Sequence, residues 1–460
     1  MVSKVEGRKI STALGQGLAV VLLAGCSVER PAVRETEVEL PVNFSATGTE
    51  VVGDQWWREF RDGSLNSLVS RSLAGNFSLQ SAAARLRQAD AVLRRAQSDL
   101  GPDVDGSIEG TAFELSDDSS IGGLTVGLGA SYEVDLWGRI QSSIAAENYR
   151  RQATLEDYQT AALSLSAEVA LTWFQLLEAR EQVKLIEGQI ETNKQVVQSL
   201  EARFVQGQGR GVDILRQRQL LEATRERLTV AELQEEVLAN QLSVYLGSAP
   251  GTAKLPMTSG LPALPRKPST GLPVALLKRR PDVRSAFEQI KAADSDVATA
   301  LTERYPRLTL GLETGGTGSN SSSLFSNWLT RVGADLAGPI LDGGERQAEV
   351  ARTRAVLEEA IADYRQTVVE AIEEVENALV RERKQLERIS KLETQVSLAK
   401  RSSQQLQREF INGVSEYLDV LTALDDEQEL RRTLLVARRE LLEYRVALYR
   451  ALAGGFNSTK

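Results

Sequence analysis

Asp213 and Asp419 are acidic side chains whose surroundings recur in the chain, and a carboxylate in such a place can do one of two jobs. It can accept from free backbone N–H groups at a helix start and answer the helix dipole, or it can present negative charge to a passing cation. Neither job breaks a covalent bond. Bond-breaking chemistry is poorly supplied here: 63 acidic residues stand beside no histidine, which removes the usual general base, the commonest metal ligand and every triad that needs an imidazole. Two carboxylates could serve glycoside hydrolysis, but no cluster stands out among so many. The one cysteine, Cys26, permits no internal disulfide and no thiolate metal cluster. The glycine runs at 207–211 and 343–344 lack the Gly-Lys-Ser/Thr of a phosphate cradle and read as helix ends. The sequence points away from an enzyme and offers no catalytic residue, metal site or dissociable cofactor.

The surroundings of the two aspartates are copies. Phe204-Val205-Gln206-Gly207 through Val212-Asp213-Ile214-Leu215 returns as Phe410-Ile411-Asn412-Gly413 through Leu418-Asp419-Val420-Leu421, with Phe, Gly, Asp and Leu matching at an offset of 206. Upstream, Ser81, Ala82, Asp90 and Pro102 return 204 later as Ser285, Ala286, Asp294 and Pro306, and Gly138 returns 205 later as Gly343. A period this long is not a solenoid but a tandem duplication of one large unit.

The N-terminus explains Cys26. Lys4, Arg8 and Lys9 precede a mostly apolar run that ends Leu23-Ala24-Gly25-Cys26, too short to span a bilayer and resembling a bacterial lipobox. Cys26 is then the expected mature first residue, carrying covalent diacylglycerol and N-acyl lipid, and Ser27 after it fits outer-membrane sorting. Loss of 1–25 removes three cations and one anion, moving the formal charge from −9 to −11, which argues against nucleic acid as a partner. The expected division is a 1–25 signal peptide, a 26–61 lipidated tether with a short helix, a 62–247 first repeat, a 248–272 Pro-rich linker, a 273–455 second repeat and a 456–460 tail.

Each repeat has the same plan. Ser64 to Leu100 is helical in pattern with a break at Asn76, where the second copy nearly places Pro281. After Pro102 the period changes to two. Leu124, Val126, Leu128, Ala130 and Tyr132 alternate with small, polar or acidic residues, following a strand from Asp103 to Phe113 and a loop from Glu114 to Gly123. The second copy alternates Leu308, Leu310 and Leu312 with Thr309, Gly311 and Glu313, then Val332, Ala334 and Leu336 with Arg331, Gly333 and Asp335, around a polar loop from Gly315 to Ser323. Strands of about ten residues suit a tilted membrane span and equally a soluble sheet with one face on a core. Four strands cannot close a barrel and lipid tolerates no open edge, so the sheet is soluble or several chains share one barrel.

Long helices follow. From Gly138 to Gln206 apolar residues recur at sevens (Leu155, Ala162, Val169, Leu176, Val183, Ile190, Val197, Phe204), with a second row through Leu165, Ala179, Ile186, Asn193 and Leu200. The matching helix runs from Gly344 to Ile411, and each is about 100 Å long at 1.5 Å per residue. Shorter return helices are expected over Gly211–Tyr245 and Ser415–Leu452, so that two half-length helices stacked end to end can line one long helix.

With these residues in view the chain resembles the outer membrane factor family of TolC-like channel-tunnels, in particular its lipoprotein branch of OprM type. The likeness is carried by Tyr132-Glu133-Val134-Asp135-Leu136-Trp137-Gly138-Arg139, by Leu277-Lys278-Arg279-Arg280-Pro281-Asp282-Val283-Arg284, by Gly338-Pro339-Ile340-Leu341-Asp342-Gly343-Gly344, and by Ala447-Leu448-Tyr449-Arg450-Ala451-Leu452-Ala453-Gly454-Gly455. It implies a mainly α fold with membrane β: a homotrimeric α/β-barrel channel-tunnel whose subunits each give four strands to a shared twelve-stranded barrel, continued by a coiled-coil helical barrel. It implies a passive exit duct in the outer membrane, reaching into the periplasm, with a periplasmic adaptor and an inner-membrane RND-type pump as partners, and drug or small-molecule efflux as the task. A lipid-anchored periplasmic scaffold would account for the heptads but not for two duplicated hairpins.

In that family the turns between long and short helices form a periplasmic constriction. Here those turns are Gln206–Val212 and Asn412–Glu416, with Gly207 and Gly413 where helices stop. Asp213 and Asp419 match family aspartates, while Thr422 stands where some members carry another acid. Arg203, Arg210 and Glu416 are the candidates for tip salt bridges. Phe204 and Phe410 read as seam packing. Glu133, Asp135 and Asp335 either face the lumen or pair with Arg139 and Arg331.

Overall fold

Asn76 shows how one residue can end one helix and begin another. It closes α1 (Gly63–Gly75) with its backbone N–H on Ser72 O, then caps α2 (Phe77–Ser98) by accepting from Leu79 N at 3.0 Å. The computed structural model describes residues 38–50, 53–114, 120–258, 260–319 and 321–452, so the expected signal peptide, Cys26 and the 456–460 tail lie outside the described residues. After α2 come β1 (Asp103–Glu114), β2 (Ser120–Val134), α3 (Arg139–Val205) and α4 (Gly211–Tyr245). The second repeat gives α5 (Pro273–Arg279), α6 (Pro281–Thr302), β3 (Arg307–Gly318), a short α7 (Ser321–Ser326), β4 (Trp328–Ala337), α8 (Glu345–Ile411) and α9 (Tyr417–Leu452). Two compact units cut across the repeats. One gathers the strands of both, over Pro102–Ser143 and Asp294–Ala355, and the other gathers the helices.

The strand unit is one antiparallel sheet in the order β1-β2-β3-β4. Ile108 faces Val126, Ala130 faces Leu312 and Leu312 faces Val332, so the pairing keeps parity across all four strands. One face collects Val104, Ile108, Val126, Leu128, Leu310, Leu312, Val332 and Leu336, and the other collects Asp105, Glu109, Glu133, Glu313, Arg331 and Asp335. Within the chain the apolar face is bare: Ile108 is 77% and Val332 78% exposed, which excludes an ordinary sheet packed on its own core. The strands run further than their alternation foretold. β1 reaches Glu114 and β2 begins at Ser120, shortening the expected 114–123 loop, while β3 continues to Gly318 and α7 starts at Ser321, so that the two together take most of the expected 315–323 loop. Glycines 122, 123, 315, 316 and 318 erased the period-two signal there without breaking the ladder.

In the helical unit α3 is apolar nearly all round over 162–179, where Val169, Ala170, Trp173, Phe174 and Leu176 are fully buried. Against it packs the 3-10 turn Trp56–Phe60. Trp56 stacks on Tyr449 at 5.8 Å, and Phe60 lies 4.9 Å from Phe174. Asp62 serves this joint twice, capping α1 through Ser64 N and Leu65 N and accepting from Trp173 Nε1 at 2.7 Å.

The half-length helices meet at a joint that both repeats build. Asn76 Nδ2 and Ser72 Oγ donate to Tyr245 O, the last residue of α4, at 3.1 and 2.9 Å. Gly247, at φ +70°, passes so close that a Cβ there would lie 2.2 Å from Gly75 O. In the second repeat Arg280, 204 residues after Asn76, reaches Ala451 O near the end of α9 at 3.5 Å while holding Asp282 and Glu374 at 2.6 and 2.8 Å. Proline at 281 starts α6 with no N–H to satisfy. The Arg-Arg-Pro-Asp run therefore builds a helix junction.

Candidate functional site

Gly207 and Gly413 both have φ +75°, the left-handed conformation that ends a helix at glycine with little strain. Around each, the backbone closes the same pair of bonds: Gln208 N to Arg203 O at 2.8 Å with Gly207 N to Phe204 O at 2.9 Å, and Val414 N to Glu409 O at 2.8 Å with Gly413 N to Phe410 O at 3.1 Å. These six-to-one and five-to-two bonds satisfy the last carbonyls of α3 and α8. The duplicated turn is one geometry made twice.

The side chains on that geometry have diverged. Asp213 is buried, and its carboxylate is held by Arg210 at 3.1 Å and approached by Arg216 at 3.9 Å. Arg210 is the residue before α4, so Asp213 sits in the first turn and binds these guanidiniums instead of capping the backbone. That corrects the backbone-capping half of the expectation for Asp213, while its place in the first turn of α4 still answers the helix dipole. Asp419, its counterpart, is exposed and makes no ion pair among the described residues. Arg210 also lies 3.8 Å from Glu416, the residue at its own position in the other repeat, and Asp213 together with Glu416 raises the Arg210 pKa.

Arg203 departs from the salt-bridge expectation. Among the described residues it meets no carboxylate; it donates to Ile411 O at 3.3 Å and lies 4.8 Å from the centre of the Phe410 ring. It serves as a cap on the end of α8 with a cation–π contact. Phe410 packs edge-on to Tyr417 at 5.3 Å as seam packing, whereas Phe204 is half exposed and the heptad row ends before it. At the sheet's polar face Arg139 pairs with Glu133 at 2.9 Å, Arg331 pairs with Glu313 at 3.4 Å, and Asp135 caps α3 through Ile140 N and Gln141 N.

Behind the turns lies a buried polar ladder that the apolar rows did not announce. Tyr417 donates to Gln217 Oε1, and Gln217 Nε2 reaches the Asn193 side chain at 3.2 Å. Asn193 Nδ2 donates to Thr224 Oγ1 at 2.9 Å, and its Oδ1 accepts from Gln428 at 3.2 Å. Burial, and next the Asp213 carboxylate, push the Tyr417 phenol pKa up, so it stays a donor. Further along α3, Gln189, Gln182 and Gln175 donate to Gln428 O, Arg432 O and Glu443 at 3.1, 3.1 and 2.8 Å on α9. Those glutamines are spaced at sevens, so the signal was present as a third heptad row made of polar residues. Among the described residues no group of His, Cys, Asp and Glu side chains could hold a metal ion.

Pyoverdine export outer membrane protein OpmQ of Pseudomonas aeruginosa is 29% identical over 471 residues, covering 96% of this chain and 97% of that protein. Cation efflux system protein CusC of Escherichia coli is 26% identical, covering 94% and 96%. Among solved structures, the outer-membrane channel OprN superposes with a TM-score of 0.84 at 28% identity, over 92% of this chain and 98% of that one. The family described as Outer membrane efflux protein matches residues 68–248 and 272–454, taking in both duplicated turns, both hairpins and all the long helices. The chain therefore belongs to the outer membrane efflux protein family, the outer-membrane channels through which efflux pumps discharge.

Proposed function

We propose that three copies of this chain close one barrel and form the passive exit duct of a tripartite, RND-type assembly that exports small molecules. A periplasmic adaptor joins the duct to an inner-membrane pump, the pump supplies the energy, and the duct catalyses no reaction. The observation that carries this reading is the four-stranded sheet with a bare apolar face and two edges that no strand among the described residues pairs, which lipid accepts only when other strands complete the barrel. The relatives lend support, since OpmQ is named for pyoverdine export and CusC for cation efflux. Cys26 carries the diacylglycerol and N-acyl lipid that tether the chain, which mass measurement of the N-terminal peptide tests.

The constriction lies at the duplicated turns, and the work divides unequally. Asp213 is neutralised by arginines, so the exposed and unpaired Asp419 supplies the negative ring that prefers cations. Single-channel recording of the detergent-purified protein in a planar bilayer tests both parts. Discrete cation-preferring openings are expected, with selectivity reduced in Asp419→Ala and retained in Asp213→Ala. Openings whose selectivity ignores Asp419 would confine the idea to the duct. A folded protein with no openings at all would favour a lipid-anchored scaffold.

A further inference from the structure

The sheet has two free edges, and the duplication specifies what completes them. Among the described residues no strand pairs with the outer side of β1 or of β4. Pro102 and Pro306, which immediately precede β1 and β3, set β1 onto β3 at an offset of 204, and because Asp103 faces Ser131 in the first hairpin as Arg307 faces Ala337 in the second, β2 then maps onto β4 at 206. Inside the chain, the second strand of one repeat already pairs with the first strand of the other: Ser131 faces Gly311, Ala130 faces Leu312 and Gly129 faces Glu313. Moving each residue to its counterpart turns this internal seam into an external one. Ala130 becomes Leu336, Leu312 becomes Ile108, Ser131 becomes Ala337 and Gly311 becomes Ser107.

We propose that β4 of one copy pairs antiparallel with β1 of the next in this register, Leu336 opposite the partner's Ile108 and Ala337 opposite the partner's Ser107. The proposal rests on the shared-barrel reading and goes further by fixing the pairing residue by residue. Because both offsets are even, the seam between copies keeps the parity of the internal one. Leu336 and Ile108 both lie on the apolar face, as do Val332 and its derived partner Ala112. A slip of one residue would put the Leu336 row against the Glu109 row and send carboxylates into lipid. The same register places Asp335 opposite the partner's Glu109 on the polar face, where the internal seam has Gly129 opposite Glu313. Like charges directly across a strand pair weaken it, so the seam between copies is the weaker of the two at this row.

Cysteine pairs read this register directly. Leu336→Cys with Ile108→Cys and Ala337→Cys with Ser107→Cys are adjacent rows, so one of them is a non-hydrogen-bonded pair with Cα atoms about 4.5 Å apart, within disulfide reach. Leu336→Cys with Gly106→Cys or Gly110→Cys are the two-residue slips, and single-cysteine variants account for Cys26. Oxidation of outer membranes followed by non-reducing electrophoresis is expected to give covalent dimers and trimers from at least one designed pair and monomers from the slipped pairs. Links from a slipped pair alone, or none from either designed pair in a protein whose native mass is that of an oligomer, would overturn the register. A folded protein of single-chain native mass would instead overturn the shared barrel. As a second reading, Asp335→Lys is expected to raise the temperature at which the oligomer dissociates in detergent more than Asp335→Asn does, and equal or lower temperatures count against the Asp335–Glu109 row.

Discussion

Tyr417 donates its hydroxyl hydrogen to the side-chain oxygen of Gln217, and both residues are buried. The first repeat has Gly211 where the second has Tyr417, so the bond exists once per chain. Tyr417→Phe leaves the Gln217 oxygen buried without its donor, at a cost of about 1–3 kcal/mol. Denaturant unfolding should show that loss, and Gln217→Met added to Tyr417→Phe should recover part of it. An unchanged midpoint in Tyr417→Phe would mean that the hydroxyl contributes nothing.

Gly207→Ala and Gly413→Ala test the turns themselves. A Cβ at either position has nothing within 4 Å, so the cost is that of the left-handed backbone alone, about 1–2 kcal/mol each. The left-handed strain is local to each glycine, and the bonds that join the two turns, Arg203 to Ile411 O and Arg210 to Glu416, involve neither of them, so the double variant should lose the sum of the two single losses. A loss well above that sum would show that the turns unfold as one unit.

Among the described residues Arg210 reaches two carboxylates, Asp213 and Glu416, whereas Glu416 reaches Arg210 alone. The Arg210–Glu416 pair is weak as a fastener, because the side chains are 58% and 73% exposed. Arg210→Ala should therefore increase conductance and leak more than Glu416→Ala does. Equal effects in bilayer recordings would assign the restraint to the exposed pair instead.

Acid should loosen the junction at Arg280. Burial works to raise the Asp282 pKa, but the two hydrogen bonds and charge of Arg280 outweigh it and hold the carboxyl below its ordinary value of 3.8. A lowered folded value means that the stabilisation is present above pH ~4 and disappears as pH falls through the depressed value. Asp282→Asn should reduce stability at neutral pH, and its thermal midpoint should converge on that of the unaltered protein in acid. Parallel curves down to pH 2 would show that Asp282 has no such role.

Period and duplication made the fold legible, because a heptad row and a two-residue alternation are direct imprints of helix and strand geometry. Asn76 was readable as a break, and Gly207 and Gly413 as stops, since their residue types match the backbone they adopt. What remained hidden was set by partners distant in sequence. Tyr417 meets Gln217 across 200 residues of chain, whereas the pairing of Asp213 lay in view, with Arg210 and Arg216 three residues to either side of it and Glu416 standing three residues before Asp419. The glutamines at 175, 182 and 189 were in view, but a search for apolar rows passes over a polar one.

The Arg210–Glu416 contact carries a consequence for ancestry. A ring of identical single-repeat subunits must carry the same residue at every equivalent turn, so any charge there meets its like. Fusing two copies into one gene lifts that constraint, because alternate turns then mutate independently. Opposite charges at positions 206 residues apart are a device that a ring of identical single-repeat subunits cannot encode and that a fused gene holds in one chain.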